Sequence, residues 1–357
     1  MAFIEIKNIK IAGLSVGVPS KVVSNYGLTS GVEISCDYTP EAFVETTGVK
    51  ERRYSEKLCT SDLCVPAAEK LISDLNWEKD EVEAMVFVSQ TEDYQLPATS
   101  CIIQDRLGLS KECYTLDVSL GCSGWVYGLS VIASLMQNGT IQKGLLLAGD
   151  AKRIYADKDP LFGHAGTATA LEYVEGENGF KFHFGTDGSG YDAIIIPDGG
   201  ARNGVSIHSF DEEVIEGKRY NRLQDRMKGM DVFSFGISTA PKSVKKLAEH
   251  NGFDYLNYDF FVFHQANMKM NNMIAKKLKL DADKVPSSMA HFGNTSSASI
   301  PITIVTELKN QVAGHKKFIC CGFGVGLSWG TVAFNTNNLF ISDLVEVDEE
   351  EGESKWV

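Results

Sequence analysis

Residues 114–125 read Tyr-Thr-Leu-Asp-Val-Ser-Leu-Gly-Cys-Ser-Gly-Trp and place one cysteine, Cys122, between a strand-like and a helix-like segment. The first five residues favour a strand, and the glycines around the cysteine favour a tight turn. Apolar residues then recur with helical spacing as far as Met136, and Asn138-Gly139 predicts the end of this helix. Gly144–Gly149 predicts a buried strand. This order of elements is typical of α/β proteins.

A second unit of the same kind lies in the other half of the chain. Pro241–His250 predicts a helix with the proline at its start, where a missing N–H costs least. Phe260–Phe263 predicts a fully apolar strand, and Asn267–Lys279 predicts another helix. His264 directly follows this strand, so both units place a reactive residue between a buried strand and a helix. The correspondence indicates a duplicated architecture, although the sequence shows no convincing repeat.

The length of 357 residues and the hydrophobic content of 43% suffice for about two domains or one doubled domain. We predict an N-terminal half over residues 1–175 and a C-terminal half over residues 176–334. Residues 335–357 are predicted to form a solvated, flexible tail, because Glu346–Glu353 is acidic with few apolar residues.

The formal net charge of −13 argues against nucleic acid or an anionic membrane as a general partner. No stretch is long and apolar enough to span a bilayer, and the first eleven residues alternate like a strand rather than a signal peptide. The eight cysteines show no metal-type C-x-x-C spacing and sit mostly in apolar stretches, as reduced thiols do. These features predict a cytoplasmic protein. The cysteines are residues 36, 59, 64, 101, 113, 122, 320 and 321.

Cys122 has the surroundings of a nucleophile. Glycines allow close approach of a substrate, a helix N-terminus stabilises a thiolate, and the Cys122 backbone N–H can point at a developing oxyanion. A buried structural cysteine is the alternative interpretation of this motif alone.

Three further motifs are each ambiguous when taken alone. His264, in Phe263-His-Gln-Ala-Asn267, ends an apolar strand where α/β proteins place their sites, but it could be a hydrogen-bonded core residue. Asn294 lies in a loop of small residues, His291–Pro301, and could be an ordinary cap or turn residue. Gly322–Gly330 exposes backbone N–H groups, yet the same pattern fits a β-bulge or hairpin.

Together, these motifs resemble the ketoacyl-acyl-carrier-protein synthase III family of thiolase-fold condensing enzymes. The resemblance extends to about Phe334, and His-Gln-Ala-Asn followed about thirty residues later by Gly-Asn-Thr-Ser is its most specific part. It implies a thiolase-like fold, with duplicated halves in five layers, α-β-α-β-α. The other matching motifs are Thr47–Arg52, Leu96-Pro97, Asp187–Gly190, Met227–Phe233 and Ala275–Leu278.

The resemblance implies a decarboxylative Claisen condensation. Cys122 would take an acyl group from a thioester, and a malonyl unit on acyl carrier protein would lose carbon dioxide to give an enolate. His264 and Asn294 would stabilise the enolate, and the backbone N–H groups of Cys122 and Val325 would hold the oxyanion of the acyl-Cys122 adduct. The family often has Gly at the position of Val325, but only the N–H is used.

The family's substrate-binding positions also carry over. Gly229, Phe233, Ala266 and Asn267 would line a phosphopantetheine tunnel, and Phe323 would pack near His264 and Asn294. Leu96 would lie near the acyl pocket of a partner subunit in a homodimer. Plain core packing is the alternative for each of these residues.

The helix after His264 offers a basic patch to an acidic carrier protein. Lys269, Lys276 and Lys279 fall on one face with Lys277 at its edge, while Met270, Ile274 and Leu278 face inward. Ordinary solvated lysines are the alternative.

Two features depart from the family pattern. Ala42 and Thr46 stand where the family has the Trp and Arg that clamp the adenine of coenzyme A, so the donor could be an acyl-CoA or an acyl carrier protein. His164 replaces the usual Asp and is expected to be structural. Both changes favour a specialised relative over a housekeeping initiator.

Two other functions remain open. One is an acyltransferase of the same fold that acylates an oxygen or nitrogen nucleophile, although it need not keep both His264 and Asn294. The other is a non-catalytic partner of a condensing heterodimer, although such partners usually lack the nucleophile. A hydroxymethylglutaryl-type synthase would need a carboxylate base that no motif supplies. No metal or redox cofactor is implied, because the substrates carry phosphopantetheine or coenzyme A.

Overall fold

The computed structural model describes residues 2–26, 39–151, 159–215 and 218–350. Within them the strands pair into two large sheets and three short two-stranded ribbons. Cys36 lies outside the described residues. The ribbons join β3 (Val22–Ser24) to β4 (Glu51–Arg53), β10 (Ile194–Ile195) to β13 (Arg226–Met227), and β11 (Glu213–Ile215) to β12 (Lys218–Tyr220).

The N-terminal sheet has seven strands. They are β2 (Ile9–Pro19), β5 (Ala84–Val88), β6 (Tyr114–Val118), β7 (Lys143–Asp150), β8 (Ala165–Tyr173), β17 (Phe340–Ile341) and β18 (Val345–Val347). The order is β17-β2-β8-β7-β5-β6, with β18 also paired to β2. Strands β7, β5 and β6 run parallel, and every residue of β5 is buried, as expected for a sheet covered on both faces. The strands predicted before and after Cys122 are confirmed.

The C-terminal sheet has five strands in the order β1-β9-β16-β15-β14. They are β1 (Ala2–Ile6), β9 (Phe180–Thr186), β14 (Phe260–Phe263), β15 (His315–Gly324) and β16 (Ser328–Asn337). Strand β14 is the predicted apolar strand, and its pairing with β15 is the parallel one in this sheet.

Helices separate and cover the two sheets. They are α1 (Pro40–Thr47), α2 (Thr60–Asp74), α3 (Thr99–Leu107), α4 (Gly124–Met136), α5 (Gly229–Asn251), α6 (Met268–Leu278), α7 (Met289–Phe292) and α8 (Ser299–Leu308). Helices α2 and α3 pack on the outer face of the N-terminal sheet, α4 and α8 contact both sheets, and α5 packs on the C-terminal sheet with α6 beside it. The predicted five-layer α-β-α-β-α arrangement is confirmed. None of the described helices combines the length and apolar character needed to cross a membrane.

The helix predicted to start at Pro241 is wrong in its first residue. Helix α5 begins three turns earlier, and Pro241 lies inside it. A proline there cannot donate the N–H that the carbonyl of Ile237 would accept in a regular helix. Lys277 Nζ from α6 donates to this carbonyl instead, at 3.0 Å. This hydrogen bond, between residues 40 positions apart, therefore stabilises a proline inside a helix, where local sequence rules disfavour it.

The prediction of a flexible tail from residue 335 is wrong for residues 335–347. Strand β16 continues to Asn337, and β17 and β18 then pair in parallel with β2. Ile341 and Val347 are buried, so alternate apolar residues between the acidic ones supply a strand pattern. Residues 351–357 lie outside the described part of the chain.

The N-terminus also crosses between the predicted halves. The single strand expected at the start is two strands, because the chain turns at Lys7 and Asn8. Strand β1 pairs with β9 in the C-terminal sheet, whereas β2 pairs with β8 in the N-terminal sheet. The boundaries at residues 175 and 334 stay a prediction.

Candidate active site

Cys122 lies in the turn between β6 and α4, one residue before the N-cap position of the helix. Cys122 is partly exposed, whereas Gly121 and Ser123 on either side are buried. The Gly124 N–H donates to Gly121 O at 2.7 Å and closes the turn. The N-terminus of α4, with its partial positive charge, thus lies next to Cys122.

Several other cysteines lie in surroundings that disfavour a thiolate. Burial raises the pKa of Cys64 and Cys320 far above the ordinary value, and that of Cys321 to about 12. Burial also raises the pKa of Cys113 to about 11. These thiols stay protonated at neutral pH, in contrast to the role predicted for Cys122.

The Gly322–Gly330 motif forms the hairpin of β15 and β16, and its tip packs directly on the nucleophile turn. A Cβ atom at Gly324 would lie 2.6 Å from Cys122 Sγ, and one at Gly322 would lie 2.7 Å from Cys122 O. Only glycine permits this approach, because real Cβ atoms do not come so close. The prediction of a hairpin is therefore confirmed. Val325 follows Gly324, the residue that packs against the Cys122 sulfur.

His264 ends β14 and is almost completely buried, with 2% of its surface exposed. Its N–H donates to Cys321 O at 2.9 Å, and its ring meets Phe323 edge-on with centroids 5.7 Å apart. Burial lowers the pKa of His264 to about 3, although a hydrogen bond with the Ser296 backbone acts in the opposite direction. The imidazole is therefore neutral at physiological pH.

Ser299 determines which nitrogen of His264 carries the proton. Its Oγ lies 2.7 Å from His264 Nδ1, and Ser299 is fully buried. If Nδ1 carried the proton, the Ser299 hydroxyl hydrogen would lack an acceptor among the residues that the structure describes. We therefore assign Ser299 as the donor and Nδ1 as the acceptor, which leaves the proton on Nε2.

Asn294 is also buried, with 5% exposed, and its amide has a defined orientation. Its Oδ1 accepts the Ser296 N–H at 2.9 Å, while its own N–H donates to Leu161 O at 2.8 Å. Because a backbone N–H can only donate, Oδ1 is the oxygen and Nδ2 is the donor. Among the described residues Nδ2 makes no hydrogen bond, so its hydrogens remain available to a ligand.

The three motifs meet at Ser296. Its N–H donates to Asn294 Oδ1, its backbone lies near enough to the His264 ring to affect that pKa, and its Oγ lies 3.1 Å from the position of a Cβ built on Gly121. Its φ of 50° is left-handed, which is uncommon for a serine and costs on the order of 1 kcal/mol. The structure thus brings together the segments that carry Cys122, His264 and Asn294.

Asp150 connects this loop to the N-terminal sheet. It ends β7, and its Oδ1 accepts hydrogen bonds from Ser89 Oγ, Gln90 N and Thr91 Oγ1 at 2.8 to 3.2 Å. Its Oδ2 accepts from Ser297 N and Oγ at 3.2 and 2.9 Å. The buried carboxylate is therefore fully hydrogen-bonded, as a buried charge requires.

Two of the four predicted tunnel residues share one apolar cluster. Phe233 and Ala266 pack against the cluster that contains Phe323, and Gly229 is exposed one helical turn before Phe233. Asn267 is the N-cap of α6, where its Oδ1 accepts the Met270 N–H at 2.8 Å. Leu96 lies apart from them and is 87% exposed in the single chain.

The predicted docking lysines differ in their contacts. Lys269 and Lys276 line a groove of about 650 Å³ between α1 and α6, together with Glu45, Thr46, Met268, Asn272 and Met273. Lys279 is exposed at the end of α6, in a left-handed conformation with φ of 56°. Lys277 is exposed too, but its ammonium is already bonded to Ile237 O.

His164 and Ala42 occupy different surroundings. His164 is buried; its Nδ1 accepts the Ser55 N–H at 3.3 Å, and its ring packs on Tyr54. Ala42 is partly buried one helical turn before Thr46 on α1, so both positions face the same side of that helix.

Within the described ranges, no cluster of His, Cys, Asp and Glu side chains is arranged to hold a metal ion.

Sequence reasoning missed the residues that hold the site together. Ser296 and Ser299 lie in the quoted loop, where three serines within four residues offered a signal for hydrogen bonds to neighbouring groups. Asp150 follows a buried strand, and an acidic residue at that position could have been found by the same rule that found His264.

Comparisons with known proteins agree with this geometry. A family model described as 3-oxoacyl-[acyl-carrier-protein (ACP)] synthase III matches residues 116–188, and the model of its C-terminal part matches residues 248–336. A beta-ketoacyl-[acyl-carrier-protein] synthase III of Clostridium acetobutylicum is 30% identical over 91% of this chain and 98% of its own length. The chain belongs to the 3-oxoacyl-[acyl-carrier-protein] synthase III family.

Two further known proteins are similar over most of the chain. A beta-ketoacyl-[acyl-carrier-protein] synthase III 1 of Bacillus cereus is 30% identical over 91% of this chain and 98% of its own length. The crystal structure of a 3-oxoacyl-(acyl-carrier protein) synthase from Burkholderia xenovorans LB400 is 37% identical, with a TM-score of 0.88, over 97% of this chain and 99% of that one. The predicted family and the thiolase-like fold are thereby confirmed.

The state of His264 can be measured directly. In long-range ¹H–¹⁵N NMR spectra of histidine-labelled protein, we expect a neutral His264 ring with the proton on Nε2 from pH 5 to pH 8, because burial holds its pKa near 3. Ser299→Ala removes the donor to Nδ1 and should mix the two tautomers. Ser288→Ala is the matched control, since it removes another buried hydroxyl, bonded to Thr303. A ring that titrates in this range, or an unchanged tautomer in Ser299→Ala, would contradict the assignment.

Proposed function

We propose that this protein catalyses the synthase III reaction, in which an acyl group condenses with a malonyl unit on acyl carrier protein to give a 3-oxoacyl carrier protein. One observation supports the proposal: the loop around Ser296 lies against the segments that carry Cys122, a neutral His264 and Asn294. The similarity to proteins named as synthases of this type supports it.

The first half-reaction transfers the acyl group. The Cys122 thiolate attacks the thioester carbonyl, a carbon–sulfur bond to Cys122 forms, and the carbon–sulfur bond to the donor breaks. The donor sulfur leaves as a thiolate and takes a proton from water. The Cys122 and Val325 backbone N–H groups stabilise the oxyanion that develops between these events. Gly324 matters here because only a residue without a side chain lets the hairpin that carries Val325 pack against the sulfur.

The second half-reaction forms the carbon–carbon bond. The malonyl unit loses carbon dioxide, and the electrons of the broken bond give an enolate whose oxygen accepts hydrogen bonds from His264 Nε2 and Asn294 Nδ2. The enolate carbon attacks the acyl-Cys122 carbonyl, and the Cys122 thiolate leaves. Neither His264 nor Asn294 has to gain or lose a proton.

The protonation state of His264 favours decarboxylation over proton abstraction. A base whose conjugate acid has a pKa of about 3 accepts a proton poorly at neutral pH, whereas its N–H remains a good donor. The neighbouring carboxylate, Asp150, already accepts five hydrogen bonds with its two oxygens. A condensation that needs a strong base to form the enolate therefore has no suitable group among these residues.

Intact-mass spectrometry tests the proposed function. The wild-type protein, incubated with a panel of acyl-CoA and acyl-carrier thioesters, should gain the mass of one acyl group, and Cys122→Ala should not. His264→Ala and Asn294→Ala should still be acylated, but condensation with malonyl carrier protein should fall by about 100-fold, the loss typical of one oxyanion donor. No adduct from any donor, together with a Cys122 inert to iodoacetamide, would favour the non-catalytic heterodimer partner.

We also propose that acyl carrier protein docks on α6. Lys269 and Lys276 line the groove beside α1, and a carrier protein is acidic while this chain is itself acidic, so local positive charge is required. The two positions without the adenine clamp, Ala42 and Thr46, lie on the α1 side. A donor bound to the carrier protein therefore fits this groove without a clamp for coenzyme A.

Charge reversal tests the docking surface. Lys269→Glu and Lys276→Glu should each raise the KM for malonyl carrier protein by about tenfold and leave acylation by a carrier-free thioester unchanged. Lys277→Met is the control on the same helix, because its ammonium is bonded to Ile237 O and should contribute to stability rather than docking. An equal effect of all three variants, or none, would exclude this surface.

We further propose that two copies of the chain form a homodimer through β6. This strand is at the edge of the N-terminal sheet, with no strand beside it on one side among the residues that the structure describes, so a second copy can pair there. The exposure of Leu96 in the single chain is consistent with cover by a partner. Sedimentation should give the mass of two chains, and Tyr114→Lys at the exposed start of β6 should shift it towards one. A wild-type monomer at micromolar concentration would contradict the proposal.

A further inference from the structure

Two buried hydroxyl groups join the nucleophile turn to the hairpin. Ser123 Oγ lies 2.7 Å from Ser328 Oγ, and Ser328 Oγ donates to Val325 O at 2.9 Å. Since Ser328 has one hydroxyl hydrogen and gives it to the carbonyl, Ser123 must be the donor in the other bond. Ser123 and Ser328 are 1% and 4% exposed, so water does not compete for these bonds.

The last acceptor in this series of hydrogen bonds, Val325 O, lies in the part of the hairpin whose backbone conformation is least restricted. Val325 is flanked by Gly324 and by Gly326, whose φ of 121° is accessible mainly to glycine. Glycine on both sides leaves the orientation of the Val325 backbone poorly determined by local sterics. A hydrogen bond from outside the glycine segment is needed to hold it in one orientation.

The far side of the hairpin tip is anchored separately. Leu327 and Asp187 exchange two backbone hydrogen bonds, of 2.8 and 3.3 Å. Asp187 is itself in a turn closed by its carboxylate on Ser189. These bonds fix the chain after Gly326, so the Ser328 hydroxyl acts on the part that is nearest to Cys122.

We propose that Ser328, oriented by Ser123, is a positioning residue for the backbone N–H of Val325 in the oxyanion site. The inference rests on the proposed acylation of Cys122 and deepens it. Ser123 follows Cys122 directly and is the N-cap residue of α4, so one hydroxyl chain sets the hairpin against the turn that provides the other N–H donor. Both donors of the oxyanion site are thereby held in register.

The inference separates two reactions of the same thiol. Acylation passes through a tetrahedral oxyanion and depends on the Val325 N–H. Alkylation by iodoacetamide displaces iodide at a saturated carbon, forms no oxyanion and depends on the thiolate alone. Loss of the Ser328 hydroxyl should therefore slow acylation and leave alkylation unchanged.

The experiment measures both rates on the full-length protein by intact mass. The variants are Ser328→Ala, Ser328→Thr, which keeps a hydroxyl, and Ser123→Ala, which removes only the outer bond. The acyl probes are p-nitrophenyl acetate and acetyl-CoA, and the alkylating probe is iodoacetamide. Removing an oxyanion donor outright costs about 100-fold or more, so misplacing it should cost about tenfold in acylation. We expect this loss in Ser328→Ala, a smaller loss in Ser123→Ala and recovery in Ser328→Thr, with alkylation unchanged throughout.

Three results would overturn the positioning role. Acylation as fast as wild type in Ser328→Ala would do so, and so would an equal fall in acylation and alkylation, which indicates general disruption of the turn. A wild-type protein that is alkylated but acylated by neither probe would show that the hairpin is no oxyanion site. Failure of the proposed condensation is distinguishable, because it would appear only when malonyl carrier protein is added to a normally acylated enzyme.

Discussion

The architecture depends on burying one layer of helices between two sheets. Helices α4 and α8 contact both sheets, and residues such as Trp125, Leu129 and Ile302 are almost fully removed from solvent. Each large apolar side chain buried in this way contributes about 1.5–3 kcal/mol, and most residues of both helices are apolar because the helices face protein on two sides. This packing fixes the distance between the sheets. It therefore also fixes where the ends of β6 and β14, with Cys122 and His264, can meet.

Burial of this kind excludes water but does not align polar groups. That alignment comes from a small set of hydrogen bonds between segments that belong to different sheets. Asp150 ends a strand of the N-terminal sheet and holds the loop of Ser297, while Ser123 holds the hairpin of the C-terminal sheet through Ser328. A buried carboxylate or hydroxyl that lost its partner would cost on the order of 1–3 kcal/mol, so each bond resists displacement of its loop. These hydrogen bonds hold the site in one arrangement, because any displaced loop would leave a buried polar group without its partner.

The sequence predicted those features that depend on local pattern or on motif. Strands β6 and β14, helix α4, the inward face of α6 and the family all followed from spacing and residue type. The predicted helix start at Pro241 was wrong because Lys277, which replaces the N–H donor that the proline lacks, lies 36 positions later on another helix. The prediction of a flexible tail was wrong because β17 and β18 pair with β2 in spite of the acidic composition. These two strands are too short to show a clear alternation in the sequence. Ser123 and Ser328 are 205 residues apart, and nothing local to either one indicates the other.

The environment of His264 shows how one property serves two purposes. The same burial that lowers its pKa to about 3 also removes water that would weaken a hydrogen bond to the substrate. An exposed histidine would be charged for part of the time near neutral pH and would be a better base, but its donor would be solvated. A buried one gives up basicity and gains a fixed, neutral N–H, provided that Ser299 satisfies the opposite nitrogen. A weakly basic His264 suits decarboxylation, because loss of carbon dioxide leaves the electron pair that forms the enolate. No base has to remove a proton to form it.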